Sequence, residues 1–352
     1  MRMRIGSMFT LQEPSQLSSS YFTALGADVQ YFLSGRCALY ACLLDCTNTT
    51  RPKLAYVPAY TCETVLASYE KAGYALRFYD VDQEELKPIF KYEDLADVSV
   101  LNLCGYYGFS RYDKVFLEVC RQRGITIIQD TTHSLFSQDG HYPNADYYAG
   151  SVRKWLGIAS GGVAVKRKGS FTVQPLKADE EHLMGRYKAM EYQKLANKSG
   201  NDTYTEQASS IFWETEMRLR HMFDAFASDE KSKTILNTLD PTHMIEKRRE
   251  NYQTVLNTLT PSSQCQPIFK HLDEATCPSH FSFYSEDRQR ARQQLEKQSI
   301  KSTIYWPLPP MLANKEQFPH ASWIYDHVMS IQIDQRYSKE DMEYLGKTLG
   351  EL

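Results

Sequence analysis

The chain has 352 residues, 42% of them apolar and 24% charged, which is the composition of an ordinary globular protein. That length exceeds one compact core and calls for a large domain with a smaller one. A net charge of -3 lacks the basic excess that a nucleic-acid backbone demands, and no apolar stretch approaches the roughly 20 residues that span a bilayer.

The opening residues, Met1-Arg-Met-Arg-Ile-Gly6, are basic without the apolar run of a signal peptide, so the expected location is the cytoplasm. The eight cysteines form no C-x-x-C pair and have no histidines at zinc spacing, which predicts reduced, mostly buried thiols and no metal.

In chain order, Leu33-Ser-Gly-Arg-Cys-Ala-Leu39 opens a helix that runs to about Leu44. Small residues at a helix start expose backbone N–H groups to an anion, and Arg36 adds a cation; the same Ser-Gly pair also fits an ordinary helix cap. From 54 to 166 short apolar runs alternate with helical stretches. Leu54–Pro58, Ala75–Tyr79, Val98–Cys104, Ile125–Gln129, Tyr147–Gly150 and Gly162–Val165 read as buried strands, and Cys62–Ala72 and Tyr112–Arg123 as amphipathic helices. That alternation predicts an α/β fold around a mostly parallel sheet, with ligands beyond the carboxyl ends of its strands.

Three further segments stand at such ends. Val57-Pro-Ala-Tyr-Thr-Cys62 leaves a strand for a helix; Tyr60 is placed to lie against a flat ring, and Thr61 to cap the helix. Ile127-Ile-Gln-Asp-Thr-Thr-His-Ser134 delivers Asp130 to the sheet edge. A buried carboxylate there needs a partner, either a protonated ring nitrogen or the following turn. Tyr147-Tyr-Ala-Gly-Ser-Val-Arg-Lys-Trp155 sets Lys154 between an apolar strand and the Gly161-Gly162 turn, where a partly desolvated amine can attack a carbonyl.

From about 177 to 205 the sequence turns polar. Helical segments follow at Ser209–Phe226 and Pro241–Leu259, then short β runs and a last helix, Ser338–Leu349, opened by Ser338 and Asp341. The predicted division is a large domain over 1–240, including an N-terminal arm, and a small α+β domain over 241–352.

Taken in order, these segments resemble the DegT/DnrJ/EryC1/StrS family of pyridoxal-phosphate-dependent (PLP-dependent) aminotransferases. Val57-Pro-Ala-Tyr-Thr61, Asp80-Val-Asp82, Leu103-Cys-Gly105, Asp130-Thr-Thr-His133, Arg153-Lys-Trp-Leu-Gly157, Ile304-Tyr-Trp-Pro-Leu-Pro309 and Ile333-Asp-Gln-Arg-Tyr-Ser-Lys-Glu-Asp341 carry the likeness. It implies the fold type I sheet of seven-stranded type and a homodimer with shared active sites. Lys154 would carry the cofactor as a Schiff base and transfer protons, with Asp130 on the pyridine nitrogen. Gly35 and Arg36 would hold the phosphate, and Tyr60, Cys62 and His133 would border the ring. Tyr60, Tyr106 and Tyr305 would face substrate. The implied reaction moves an amino group from a donor such as glutamate to a keto sugar, nucleotide-linked as the family's acceptors usually are, in surface polysaccharide or glycoside biosynthesis. Three positions depart from the pattern: Cys62 replaces a stacking aromatic, Ala149 a serine and Arg36 a threonine. A PLP enzyme of a non-sugar substrate and a pseudo-enzyme with a binding or regulatory role are the alternatives those departures leave open.

Overall fold

The structure is a computed structural model that describes residues 4–46 and 51–352. Along the chain run β1 (Asp28–Phe32), α1 (Gly35–Asp45), β2 (Leu54–Pro58), α2 (Glu63–Lys71), β3 (Ala75–Val81), β4 (Pro88–Ile89), β5 (Val100–Cys104), α3 (Lys114–Gln122) and β6 (Thr126–Asp130). Then follow β7 (Tyr147–Ser151), β8 (Gly162–Lys166), α4 (Glu180–Ser199), α5 (Asp202–Met222), α6 (Glu230–Asn237), α7 (Thr242–Thr258) and β9 (Gln266–Pro267). The chain ends with β10 (His280–Tyr284), α8 (Arg288–Lys297), β11 (Ser302–Thr303), α9 (Pro319–His327), β12 (Val328–Gln332) and α10 (Lys339–Gly350).

The chain divides into two compact units, each assembled from separated segments. The first joins residues 1–7, 48–144 and 241–352. Its larger sheet has the order β6-β5-β2-β3-β4, parallel except at the short edge strand β4. All five residues of β5 are buried, as a parallel strand covered on both faces requires, which is why its sequence is a near-continuous apolar run. Because β2, β5 and β6 run the same way, with Cys104 level with Asp130, the segments after them leave from one edge. A second, antiparallel sheet, β11-β12-β10-β9, belongs to the C-terminal segment. Asp80, at the carboxyl end of β3, ties that segment in by accepting from the backbone of His320 and Ala321 in the first turn of α9.

The second unit joins residues 8–47 and 145–240. Its strands pair antiparallel in the order β1-β8-β7, α1 packs on β7 and β8, and α4 and α5 form a helical hairpin. The parallel character expected from the sequence thus belongs to the first unit.

The caps follow the sequence with one correction. Ser338 and Asp341 form the reciprocal capping box of α10. Thr61, however, is not the cap of α2. Cys62 takes that position without a side-chain bond to the helix backbone, while the N–H of buried Thr61 donates to the Tyr325 hydroxyl. The helix expected at 209–226 starts earlier, at Asp202, because Asn201 caps it, and the polar stretch before it is the long helix α4. Six of the eight cysteines are buried and all are free thiols, while Cys46 and Cys62 are half-buried. Among the described residues no helix is long and apolar enough to cross a membrane.

Candidate active site

In the second unit, β7 ends at Ser151 and passes directly into a single 3-10 turn, Val152–Lys154. The turn is closed by Trp155 N–H to Val152 carbonyl at 2.8 Å, and Val152 N–H reaches the Gly161 carbonyl at 2.7 Å. Lys154 is half-buried at its end. The start of α1 lies against the same place. Ser34 caps the helix, its hydroxyl accepting from Cys37 N–H, and a Cβ added to Gly35 would lie 2.8 Å from the Ser151 Cβ. Only glycine lets the helix start come this close. An α-helix presents unsatisfied N–H groups at its first turn, so backbone donors lie close to the strand end that leads to the candidate lysine.

Arg36 does not add its side chain to these donors. Its guanidinium donates to the Leu219 carbonyl and lies 5.1 Å over the Phe223 ring, turned toward α5. Around Arg153 a buried charge cluster has formed. Glu216 Oε1 is 2.7 Å from Arg153 and 3.1 Å from Arg186, and the imidazole of His182 is 3.5 Å from Arg153. Burial alone would raise the Glu216 carboxyl, but Arg153 and Arg186 outweigh it and hold the group down at about 2. His182 falls to about 3, first because it is buried and then because both guanidinium groups repel a second positive charge. It is therefore neutral, and its ring accepts from Arg153.

In the first unit, Asp130 closes β6 and is 8% exposed; its carboxylate accepts from Thr132 N–H at 2.9 Å. Tyr60, Tyr106, His133 and Tyr305 come together in an aromatic nest. Tyr60 stacks on Tyr106 at 5.3 Å, its hydroxyl lies 2.8 Å from that of Tyr107, and it donates to the Tyr305 carbonyl. The Tyr106 hydroxyl donates to the Tyr60 carbonyl at 2.7 Å. Burial pushes the hydroxyls of Tyr60, Tyr106 and Tyr107 upward, so all three remain protonated. Tyr60 has no exposed surface and Tyr106 only 2%. In this arrangement both rings lie within the nest, stacked on each other. His133, also 2% exposed, packs against Tyr107, Tyr305 and Trp306. Tyr305 keeps accessible surface, and its hydroxyl is 3.5 Å from His280 Nε2, whose Nδ1 is 3.0 Å from the Ser279 hydroxyl. Cys62 is half-buried, its thiol 3.1 Å from the Thr64 hydroxyl.

Sequence reasoning missed Tyr107, His280 and Trp306, and it missed Glu216, Arg186 and His182. Trp306 adjoins a residue it singled out, and Tyr107 follows one. Nothing in the run Trp213-Glu-Thr-Glu-Met-Arg218 marks Glu216 above Glu214; only the packing of α5 separates the half-buried carboxylate from the exposed one.

The fold is that of PLP-dependent fold type I transferases. Solved structures similar over nearly the whole chain share it at low sequence identity. A Streptococcus pneumoniae protein described as a sugar aminotransferase, in its PMP form, matches 98% of this chain and 91% of its own at a TM-score of 0.66 and 17% identity. PseC of Helicobacter pylori, an aminotransferase involved in the biosynthesis of pseudoaminic acid, matches 97% and 92% at 0.66 and 14%. A DegT DnrJ EryC1 StrS aminotransferase of Brucella abortus matches 94% and 88% at 0.59 and 14%. No protein-family model matches the sequence, and no curated protein is detectably similar to it. The fold implied by the sequence resemblance is thus the fold observed.

Proposed function

We propose that this protein is a PLP-dependent aminotransferase, an enzyme that moves an amino group from a donor such as glutamate to a keto sugar, nucleotide-linked, with Lys154 as its catalytic residue. The observation that carries the reading is the approach of the α1 start to the turn bearing Lys154, with no room for a side chain on Gly35. An amine and an anion cradle in one corner suit a cofactor that has both a carbonyl and a phosphate. The S. pneumoniae protein is known in a PLP form as well, which supports the same cofactor here.

When bound, pyridoxal phosphate supplies a carbonyl for an amine to engage and a ring that draws electrons from the adjacent carbon. The chain supplies the rest. The first turn of α1 binds the phosphate. Lys154 holds the cofactor and moves the proton at the reacting carbon. Asp130, at the end of β6, would pair the ring nitrogen and keep it protonated. Tyr305, with His280 behind its hydroxyl, faces the substrate, and the hydroxyls of Tyr60 and Tyr107 donate to its backbone carbonyl. The acceptor is assigned as a sugar because the S. pneumoniae protein is described as a sugar aminotransferase.

We assign the active form as a homodimer in the cytoplasm. On α5, Trp213 is 60% exposed, Met217 44% and Met222 54%, and the first two lie one turn apart on one face, an apolar surface that a second copy would cover. Light scattering at micromolar concentration tests this, and a monomer that still binds pyridoxal phosphate counts against it.

The test of function is chemical. Purified protein with pyridoxal phosphate should show a visible absorbance band that borohydride removes, and the reduced adduct should map to the peptide containing Lys154. Conversion of a nucleotide keto sugar to its amino sugar with glutamate should follow. An adduct on another lysine overturns the assignment. Absence of any adduct in folded protein favours a binding module.

A further inference from the structure

The turn that carries Lys154 is anchored by a side chain from outside its own strand. Arg153 precedes Lys154 within the turn, and its guanidinium reaches Glu216 on α5 at 2.7 Å. Arg186 of α4 meets the same carboxylate oxygen at 3.1 Å and lies 4.4 Å over the Phe212 ring. Glu216, on α5, is therefore gripped from α4 and from the lysine turn. The side chains of Arg153 and Arg186 are 13% and 7% exposed and that of Glu216 25%, so the contacts are partly shielded from water. The backbone bonds of the turn fix its path locally; among the described residues, the Arg153 side chain is tied to the hairpin through Glu216 and His182.

We propose that Glu216 is a positioning residue: through Arg153 it fixes the orientation of the turn that presents Lys154. This rests on the reading of Lys154 as the cofactor lysine. Glu216 touches neither cofactor nor substrate in this role. The arginines hold the carboxylate ionised, and the carboxylate holds the arginine beside the lysine. A half-buried lysine on a short turn would otherwise sample several orientations, and group orientation is where small displacements weigh most on rate.

The test compares wild type with Arg153→Gln, Glu216→Gln and the double variant. Arg153→Gln leaves Arg186 and Glu216 as a balanced one-to-one pair, so it should fold even where Glu216→Gln, which strands two guanidinium groups, does not. Three quantities are read at a temperature where each variant is folded: the rate of the visible band with pyridoxal phosphate, the circular dichroism of that band, and thermal stability. Arg153→Gln should slow adduct formation by about 100-fold and weaken the dichroism that reports a fixed cofactor. The double variant should be no slower than the worse single variant, because both changes cut one connection. Unchanged rate and dichroism in folded Arg153→Gln overturn the proposal, as do multiplicative losses in the double variant. A wild type that forms no adduct at Lys154 removes the cofactor reading and this proposal with it. A normal wild type with unaffected variants removes this proposal alone.

Discussion

A Cβ on Gly35 would stand 2.8 Å from the Cβ of Ser151 and 3.3 Å from the carbonyl of Gly150. Both contacts are to groups that cannot swing aside, since Gly150 and Ser151 belong to β7 and are buried. Gly35→Ala must therefore push α1 away from the lysine turn. Overpacking of this kind costs about 1–3 kcal/mol, so the urea midpoint should fall with an unchanged m-value. Affinity for pyridoxal phosphate should fall in parallel, measured by titration of the visible band. Equal stability and equal affinity would show that the close approach plays no part in binding.

The buried cluster makes acid sensitivity specific. His182 is held at about 3 against an ordinary value of 6.5. The unfolded chain takes up a proton as pH falls through 6.5, whereas the folded protein does not until about 3. Stability is thus lost across that window as pH decreases. At 1.36 kcal/mol per unit, lowering pH from 6.5 to 5 withdraws about 2 kcal/mol. Glu216 acts lower: the unfolded carboxyl protonates below its ordinary 4.5 and the folded one only near 2, so its contribution is lost between those values. His182→Asn should flatten the dependence of unfolding free energy between pH 7 and 5 and leave the lower step in place. A variant with the wild-type slope would mean that the imidazole already titrates normally in the fold.

Asp80 offers a test away from the chemistry. Its carboxylate accepts from Ala321 N–H at 2.8 Å and His320 N–H at 3.2 Å, at the start of a helix whose first residue is Pro319. Asp80→Ala should destabilise by about 1 kcal/mol, and Asp80→Asn, which keeps an acceptor, by less. Thermal unfolding reads both. Equal losses would show that the charge, and not the acceptor, stabilises α9.

Much of the fold was legible because its signals are local. The strand Leu54–Pro58 matches residue for residue, and five others differ by two residues or fewer at either end, since buried strands are written as short apolar runs between turn signals. The capping box at Ser338 was equally plain. The strand β1 was not, because its five residues include Asp28 and Gln30 and most are half-buried. Lys154, Asp130 and Gly35 were legible as residues at element ends. Tyr60 and Tyr106 were legible as neighbours of the site, but their burial was not, because it depends on which aromatic rings meet from distant segments. Glu216 was invisible for the same reason: its partners come from β7's following turn and from α4.

The electronic role proposed for Asp130 separates from a structural one. Its carboxylate accepts from Thr132 N–H at 2.9 Å, a turn that an asparagine side chain reproduces with its carbonyl oxygen. Asp130→Asn therefore keeps the local backbone and the size of the group while removing the charge. Without that charge a bound pyridine nitrogen no longer stays protonated, and the ring loses its pull on electrons at the reacting carbon. Lys154 should still trap pyridoxal phosphate, with borohydride reduction giving the same peptide. The half-reaction with glutamate should slow by about 100- to 1,000-fold, the loss expected when one charge-stabilising group is removed from a water-excluded site. Single-turnover decay of the visible band on adding glutamate measures it in wild type and variant. Equal rates would reduce Asp130 to the cap of its own turn. Complete loss of pyridoxal phosphate binding in a folded variant would make its carboxylate a binding group first.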